Sequence, residues 1–365
     1  MSEMLLVLQR EFLERVRTRS FLIGTLLFPA VLAGALLLPR LFMDDDGAPR
    51  RIAVVDEAPP GVATRFVQLL TAPAPGPEGE RANRYTVELL PGPLEAVRAR
   101  LNTRVAADSL HAYVVFPADV LETGRVLYRA RTMLGPVAFR EVQAAASHAI
   151  QAERLRRAGL AYPCACTRRE SAGRYPGRCR NGLPPGRAAR AWRFRVAAGR
   201  IGFRDRWQGW FEQDVEAETG DFILLRADGF FAYQLAVVVD DAAQGVTHVV
   251  RGADLLDSTP RQILLQRALG QPQPAYLHHP VATDGAGRKL SKQNRAPALD
   301  PARDRENLRA ALSFLGLEPP PDAAAPDLLR WAAARWRLRF PLERPAAGYS
   351  PPCFGSPSPN DCSAR

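Results

Sequence analysis

Lysine is almost absent from this chain. Two of the 365 residues are lysine, Lys289 and Lys292, and the other 47 basic residues are arginine. Both lysines fall in one stretch, Gly287-Arg288-Lys289-Leu290-Ser291-Lys292-Gln293. An ammonium is a compact point charge on a flexible stem, whereas a guanidinium is a rigid planar fork. Two ammonium groups three residues apart, beside a serine, suit a loop that follows moving phosphates. Chance survival on a solvated loop is the plain alternative, because a short basic loop is a weak signal alone.

Cysteine is scarce, and the five present exclude complete internal disulfide pairing. Cys164, Cys166 and Cys179 cluster, which reads as metal binding before a disulfide framework. Cys353 and Cys362 stand apart in a Pro- and Ser-rich tail, 341–365, that is expected to be disordered. Long uncharged runs are also missing after residue 39, where none reaches 18 residues. Any membrane span must therefore lie at the start.

What is present begins there. Leu5, Leu8, Phe12, Leu13 and Val16 share one helical face, so residues 1–20 are expected to form an amphipathic interfacial helix. Phe21 to Pro39 carry no charge over 19 residues, just long enough for a transmembrane helix. A signal peptide is the rival reading. Arginines before the span and Asp44 to Asp46 after it place the N-terminus inside.

With 47% apolar residues the chain can bury more than one core. Residues 1–157 carry a net charge of +3 and residues 158–365 one of +8, so the second part is the candidate for a polyanionic partner. Strands are expected at Arg51–Asp56, Ala112–Phe116 and Val126–Tyr128, a loop at 72–79 and a helix over 137–158. His111 and His148 read as ordinary lone histidines.

After residue 157 the character changes. Cys164, Cys166 and Cys179 offer three thiolates, and Tyr175 or a water can complete a zinc tetrahedron. Arg168, Arg169, Arg174, Arg178 and Arg180 stud the same loop and suit a nucleic-acid backbone. Strands are expected at Ala191–Val196, Ile201–Phe203 and Asp221–Arg226, with a tight turn at Asp228-Gly229. Phe231 to Val239 is open between helix and strand, with Asp240-Asp241 ending it. Val246–Val250 reads as a buried strand. Thr259-Pro260-Arg261-Gln262 reads as a capped helix start, and Leu328–Leu338 as a helix.

Two resemblances organise these readings. Gln9-Arg10-Glu11-Phe12, the run from Phe21 and Arg51-Ile52-Ala53-Val54-Val55-Asp56 resemble the start of an ABC-2 type transporter permease of the sodium-export kind. That implies a lipid-bilayer partner through residues 21–39 and an extracytoplasmic α/β segment over 40–157. Residues 158–340 resemble glutamyl-Q tRNA(Asp) synthetase. The resemblance runs through Tyr162–Glu170, Gly220–Ile223, Arg226–Gly229, Tyr233–Asp241, Thr247–Gln262 and Gly287–Lys292.

It implies an α/β fold: the C-terminal part of a class I synthetase Rossmann-like catalytic domain with a small zinc knuckle. It further implies ATP-dependent activation of glutamate, with Mg2+, and transfer to queuosine in the anticodon of tRNA(Asp), by a monomer. Cys164, Cys166, Tyr175 and Cys179 would hold a structural zinc. Tyr233 and Arg251 would bind glutamate, and Lys289, Ser291 and Lys292 would bind ATP, both lysines acting in catalysis. The family's first strand, phosphate loop and histidine-bearing nucleotide signature have no counterpart in residues 1–157. The resemblance therefore implies an incomplete nucleotide fold with impaired activity, in a fused reading frame. A permease fragment and a non-catalytic zinc-dependent RNA-binding remnant are the alternatives. Localisation is in conflict, since an inner-membrane span is expected while the synthetase chemistry needs the cytoplasm.

Overall fold

Residues Ile52 to Val55 are apolar without alternation, and such a strand must be buried on both faces. In the computed structural model they form the middle of β1 (Arg50–Asp56), all four fully buried. The structure describes residues 49–72, 74–75, 81–131, 136–171, 173–284, 287–291, 296 and 298–339. The interfacial helix expected over 1–20, the span expected over 21–39 and the tail over 341–365 lie outside the described residues. No described helix is long and apolar enough to cross a membrane.

β1 pairs in parallel with β4 (Tyr85–Pro91) and β5 (Ala112–Phe116), and β6 (Leu127–Ala130) closes the order β4-β1-β5-β6. Successive side chains of a strand face opposite ways. Ile52 and Val54 accordingly meet α1 (Val62–Leu70) and α4 (Pro136–Arg157) through Phe66, Val142 and Ala149. Ala53 and Val55 meet Leu101 and Val105 of α2 (Leu94–Ala106) on the other face. A single-turn α3 (Val120–Thr123) follows β5. The stretch expected as loop over 72–79 instead contributes β2 (Ala74–Pro75), paired antiparallel with β3 (Arg81–Ala82). His111 Nδ1 accepts from the Arg51 N–H at 3.0 Å.

α4 ends in a second core. Leu155 is buried with Phe194, Phe203, Leu235 and Ile263, and His148 Nε2 lies 3.0 Å from Asp240 Oδ1. One sheet here has the order β11-β8-β7, from β7 (Ala161–Cys164), β8 (Ala191–Phe194) and β11 (Ile223–Leu225). The other has the order β10-β9-β13-β12, from β9 (Arg200–Asp205), β10 (Gly209–Asp214), β12 (His248–Gly252) and β13 (Ala275–His279). β12 and β13 are parallel, and β9 and β10 form an antiparallel hairpin joined by a turn at Arg206–Gln208. A short α5 (Val215–Glu218) follows β10.

Several expectations are corrected here. Phe231–Val239 resolves into α6 (Tyr233–Ala243), so Asp240 and Asp241 lie inside a helix and do not terminate the segment. The strand expected at Val246–Val250 begins at His248 and sits at a sheet edge, which leaves Val250 57% exposed. The strand expected from Asp221 begins at Ile223, although the Phe222 carbonyl just before it still accepts from the Phe194 N–H at 2.8 Å. The Asp-Gly turn is present: Arg226 N–H donates to the Phe230 carbonyl at 2.8 Å. α7 (Thr259–Ala268) packs on α6, and α8 (Asp304–Phe314) and α9 (Ala325–Arg339) form a satellite cluster around Leu312 and Leu328. Trp336 of α9 lies 6.0 Å from Trp207, ring to ring.

Candidate active site and metal-binding knuckle

Arg251 is the fourth residue of β12, in register with His278 on β13. Its Nε donates to His278 Nε2 at 2.9 Å. Its Nη2 donates to Thr259 Oγ1 at 2.7 Å and to Gln262 Oε1 at 2.8 Å. An arginine has five donors and no acceptor. Nε and Nη2 are therefore committed, while Nη1 has no partner among the described residues. The capping reading of Thr259 and Gln262 is corrected at the same point. Ser258 occupies the cap position without a side-chain cap bond, and both expected capping groups turn onto Arg251. Satisfying a partly buried guanidinium outweighs a cap worth about 1 kcal/mol.

Tyr233 opens α6 and is 48% exposed. Next to it, Gln234 Nε2 donates to Ser258 Oγ at 3.2 Å, and Gln262 Nε2 donates to Gln234 Oε1 at 3.0 Å. These bonds draw the N-termini of α6 and α7 together beside Arg251. Helix N-termini carry partial positive charge, and a guanidinium grips carboxylates with charge-assisted bonds. The arrangement suits a small carboxylate ligand.

The loop carrying the lysines folds back on itself. Asp284 N–H donates to the Arg288 carbonyl at 2.8 Å, Gly287 takes φ +77°, and Lys289 bridges to Thr283. Lys289 Nζ is ion-paired with Asp254, three residues past Arg251, and holds that carboxyl below its ordinary value. Ser291 is partly buried, and Lys292 lies outside the described residues.

The four knuckle residues come together. The Sγ atoms of Cys164, Cys166 and Cys179 lie within 4.8 Å of one another. Cys166 Sγ is 3.8 Å from Cys179 Sγ, and the Tyr175 hydroxyl is 3.4 Å from Cys164 Sγ and 3.6 Å from Cys166 Sγ. A zinc tetrahedron with Zn–S of about 2.3 Å and Zn–O of about 2.0 Å has donor–donor edges of roughly 3.5–3.8 Å. The donor set fits. Burial and the neighbouring thiols push the Tyr175 hydroxyl upward, so it keeps its proton unless a cation is bound.

Two arginines brace this knuckle from inside. Arg193 is buried, its Nε donates to Cys164 Sγ at 3.3 Å, and its guanidinium lies 3.7 Å over the Tyr175 ring. A buried cation there offsets negative charge on the thiolates and fixes the ring. Arg180 was expected on the basic surface. It turns inward, and its Nη2 donates to Asp221 Oδ1 at 2.6 Å. Burying the Asp221 carboxylate requires a paired cation, and Arg180 supplies it. Arg168, Arg169, Arg174 and Arg178 are exposed.

The family described as tRNA synthetases class I (E and Q), catalytic domain, matches residues 189–317. A glutamyl-Q tRNA(Asp) synthetase of Janthinobacterium sp. (strain Marseille) is 42% identical over 291 residues, covering 72% of this chain and 99% of that protein. The chain belongs to the glutamyl-Q tRNA(Asp) synthetase family. Another family member, from Aromatoleum aromaticum, is 58% identical over 201 residues, which cover 51% of this chain and 62% of the relative's own length. Among solved structures, a glutamate-tRNA synthetase from Elizabethkingia anophelis shares 19% identity at a TM-score of 0.38, covering 70% of this chain and 57% of that one. Class I synthetases are ligases, and the α/β catalytic fold is the part of the fold that membership establishes. The permease-like reading of residues 1–157 rests on sequence resemblance alone.

The glutamyl-Q tRNA(Asp) synthetase family motifs cover Arg251 and the lysine loop, yet two residues of the site escaped sequence reasoning. Asp205 ends β9 and His278 lies in β13, both buried. A histidine inside the apolar run Tyr276-Leu277-His278 was the available signal, since an uncharged histidine in a strand core needs a partner on each nitrogen.

Proposed function

We propose that residues 158–339 bind glutamate at Arg251 and Tyr233 and activate it with ATP for transfer to queuosine in tRNA(Asp). The observation that carries this reading is the guanidinium of Arg251. It is held by three acceptors beside two helix N-termini, with Nη1 uncommitted among the described residues. One glutamate carboxylate would be anchored there. The other would attack the α-phosphorus of ATP as the bond to pyrophosphate breaks. Lys289, Ser291 and Lys292 would face the phosphates, where preplaced ammonium groups stabilise the charge that develops on the departing pyrophosphate. Mg2+ would accompany ATP. Cys164, Cys166, Tyr175 and Cys179 would hold a structural zinc that shapes the knuckle, and exposed Arg168, Arg169 and Arg178 would meet the tRNA backbone.

We also propose that activation is slow. Strands β1 to β6 form sheets of their own and none joins β10-β9-β13-β12, so the described N-terminal unit adds no strand to the sheet that carries Arg251. Among the described residues, this is the observation behind the expectation of an incomplete ATP site. The test is glutamate titration of the full-length chain by calorimetry beside glutamate-dependent exchange of pyrophosphate into ATP. Glutamate binding that Arg251→Ala abolishes, with weak exchange, is the expected result. Absence of glutamate binding overturns the assignment of the site. Robust exchange overturns the proposal of impairment.

A further inference from the structure

Three neighbouring strands, β9, β13 and β12, bring Asp205, His278 and Arg251 together: Arg251 is in register with His278, and Asp205, in register with Tyr276, reaches its carboxylate two residues along β13 to His278. We propose that Asp205 and His278 are positioning residues for Arg251: Asp205 fixes the tautomer of His278, and His278 then fixes the guanidinium that receives the carboxylate. The proposal rests on the glutamate-site reading above and deepens it.

The bonding leaves one assignment. Arg251 Nε can only donate, so His278 Nε2, 2.9 Å away, is the acceptor. The imidazole proton is then on Nδ1, 2.7 Å from Asp205 Oδ2. Asp205 is held as a carboxylate by N–H donors of Trp207 at 2.9 Å, Gln208 at 2.8 Å and His278 at 3.2 Å, all to Oδ1. Both side chains of the pair are completely buried. Gln208 Nε2 donates to the His278 carbonyl at 2.8 Å and ties the β9–β10 turn to β13 from a second direction. Thr259 Oγ1 sits 3.1 Å from His278 Nε2 as well as on Arg251. The guanidinium is therefore located from two sides, by β13 and by α7, and Nη1 remains for a ligand.

A purely structural role for the pair makes a different forecast, and two variants separate them. A glutamine at 278 keeps an acceptor where Nε2 stands but loses the donor toward Asp205, which retains its backbone N–H partners. An asparagine keeps the donor toward Asp205 and cannot reach Arg251. In the full-length chain, His278→Gln is expected to bind glutamate within about threefold of the native protein. His278→Asn is expected to bind about 10- to 100-fold more weakly, the worth of a lost bond to a charged group. Equal binding by both variants, or the reverse order, overturns the proposal.

A native chain that binds no glutamate would sink the site reading instead, and the relay is then judged by nitrogen-15 NMR of labelled histidine and arginine. The expected pattern is an Nδ1-protonated His278 in the native protein, and an Arg251 Nε proton protected from exchange in the native and His278→Gln proteins but not in His278→Asn. An Nε2-protonated His278, or equal exchange in all three, overturns the relay.

Discussion

Gly220 and Tyr175 touch through their backbones. A Cβ built on Gly220 would stand 2.3 Å from the Tyr175 carbonyl oxygen, and Gly220 adopts φ +70°, a conformation that favours glycine. The Tyr175 N–H also donates to the Thr219 carbonyl at 3.0 Å. The knuckle's tyrosine is thus located by the turn before β11. Gly220→Ala should destabilise the protein by about 2–4 kcal/mol, from strain and collision together. Urea denaturation measures it, and an unchanged midpoint would show that the two segments are not coupled.

The metal prediction concerns the knuckle itself. The purified full-length chain should contain about one zinc, and a chelator should lower its thermal midpoint, since a structural site contributes folding free energy. Cys179→Ser should lose the metal. Tyr175→Phe should keep it with weaker affinity, because three thiolates remain. Metal analysis by emission spectroscopy reads all three. A metal-free, folded native chain would end the zinc assignment.

Asp221 is the most heavily bonded carboxylate of the knuckle. Burial works to raise it, but Arg180, the Tyr162 hydroxyl and the Val196 N–H together hold it below its ordinary value. A depressed carboxyl stabilises the fold above its unfolded value of about 3.9, and the contribution is lost as pH falls through the folded value. Asp221→Asn should cost about 1–3 kcal/mol near neutrality, because the partly buried Arg180 loses its charged acceptor and keeps only Glu216 and the Val196 carbonyl. It should also flatten the acid limb of a stability-against-pH curve below about pH 4.

His278 acts in a different window. Burial holds it below the ordinary histidine range; Arg251 on β12 and His279 beside it push the same way, and Asp205 on β9 opposes them. The unfolded chain takes up this proton at about pH 6.5 while the folded chain still refuses it. Stability should therefore be full above about pH 6.5 and decline as pH falls toward the folded value. Comparing urea midpoints at two pH values on either side of 6, for the native chain and His278→Gln, checks the sign. The variant should show the smaller decline.

Much of this was legible before folding. The uninterrupted apolar run of β1 announced a strand covered on both faces, and the Cys-x-Cys spacing followed by Tyr175 and Cys179 announced a donor set. Asp240-Asp241 misled, because both carboxylates are partly buried inside the helix and find partners on other elements: Asp240 lies 3.0 Å from His148, and Asp241 feels the charge of Arg251. Thr259 and Gln262 misled for a related reason. A capping motif is local, and the competing acceptor requirement came from Arg251, eight residues earlier on another element.

The sequence by itself determined the family, the two lysines, and the residue types at the proposed carboxylate and metal sites. These are carried by residues close together along the chain, where spacing is geometry. The tertiary structure alone decided which partners complete them. Asp205 reaches His278 across 73 positions, and Arg180 reaches Asp221 across 41. Such pairs are set by strand register and by the need to neutralise charge in a buried place, and neither requirement leaves a mark on adjacent residues.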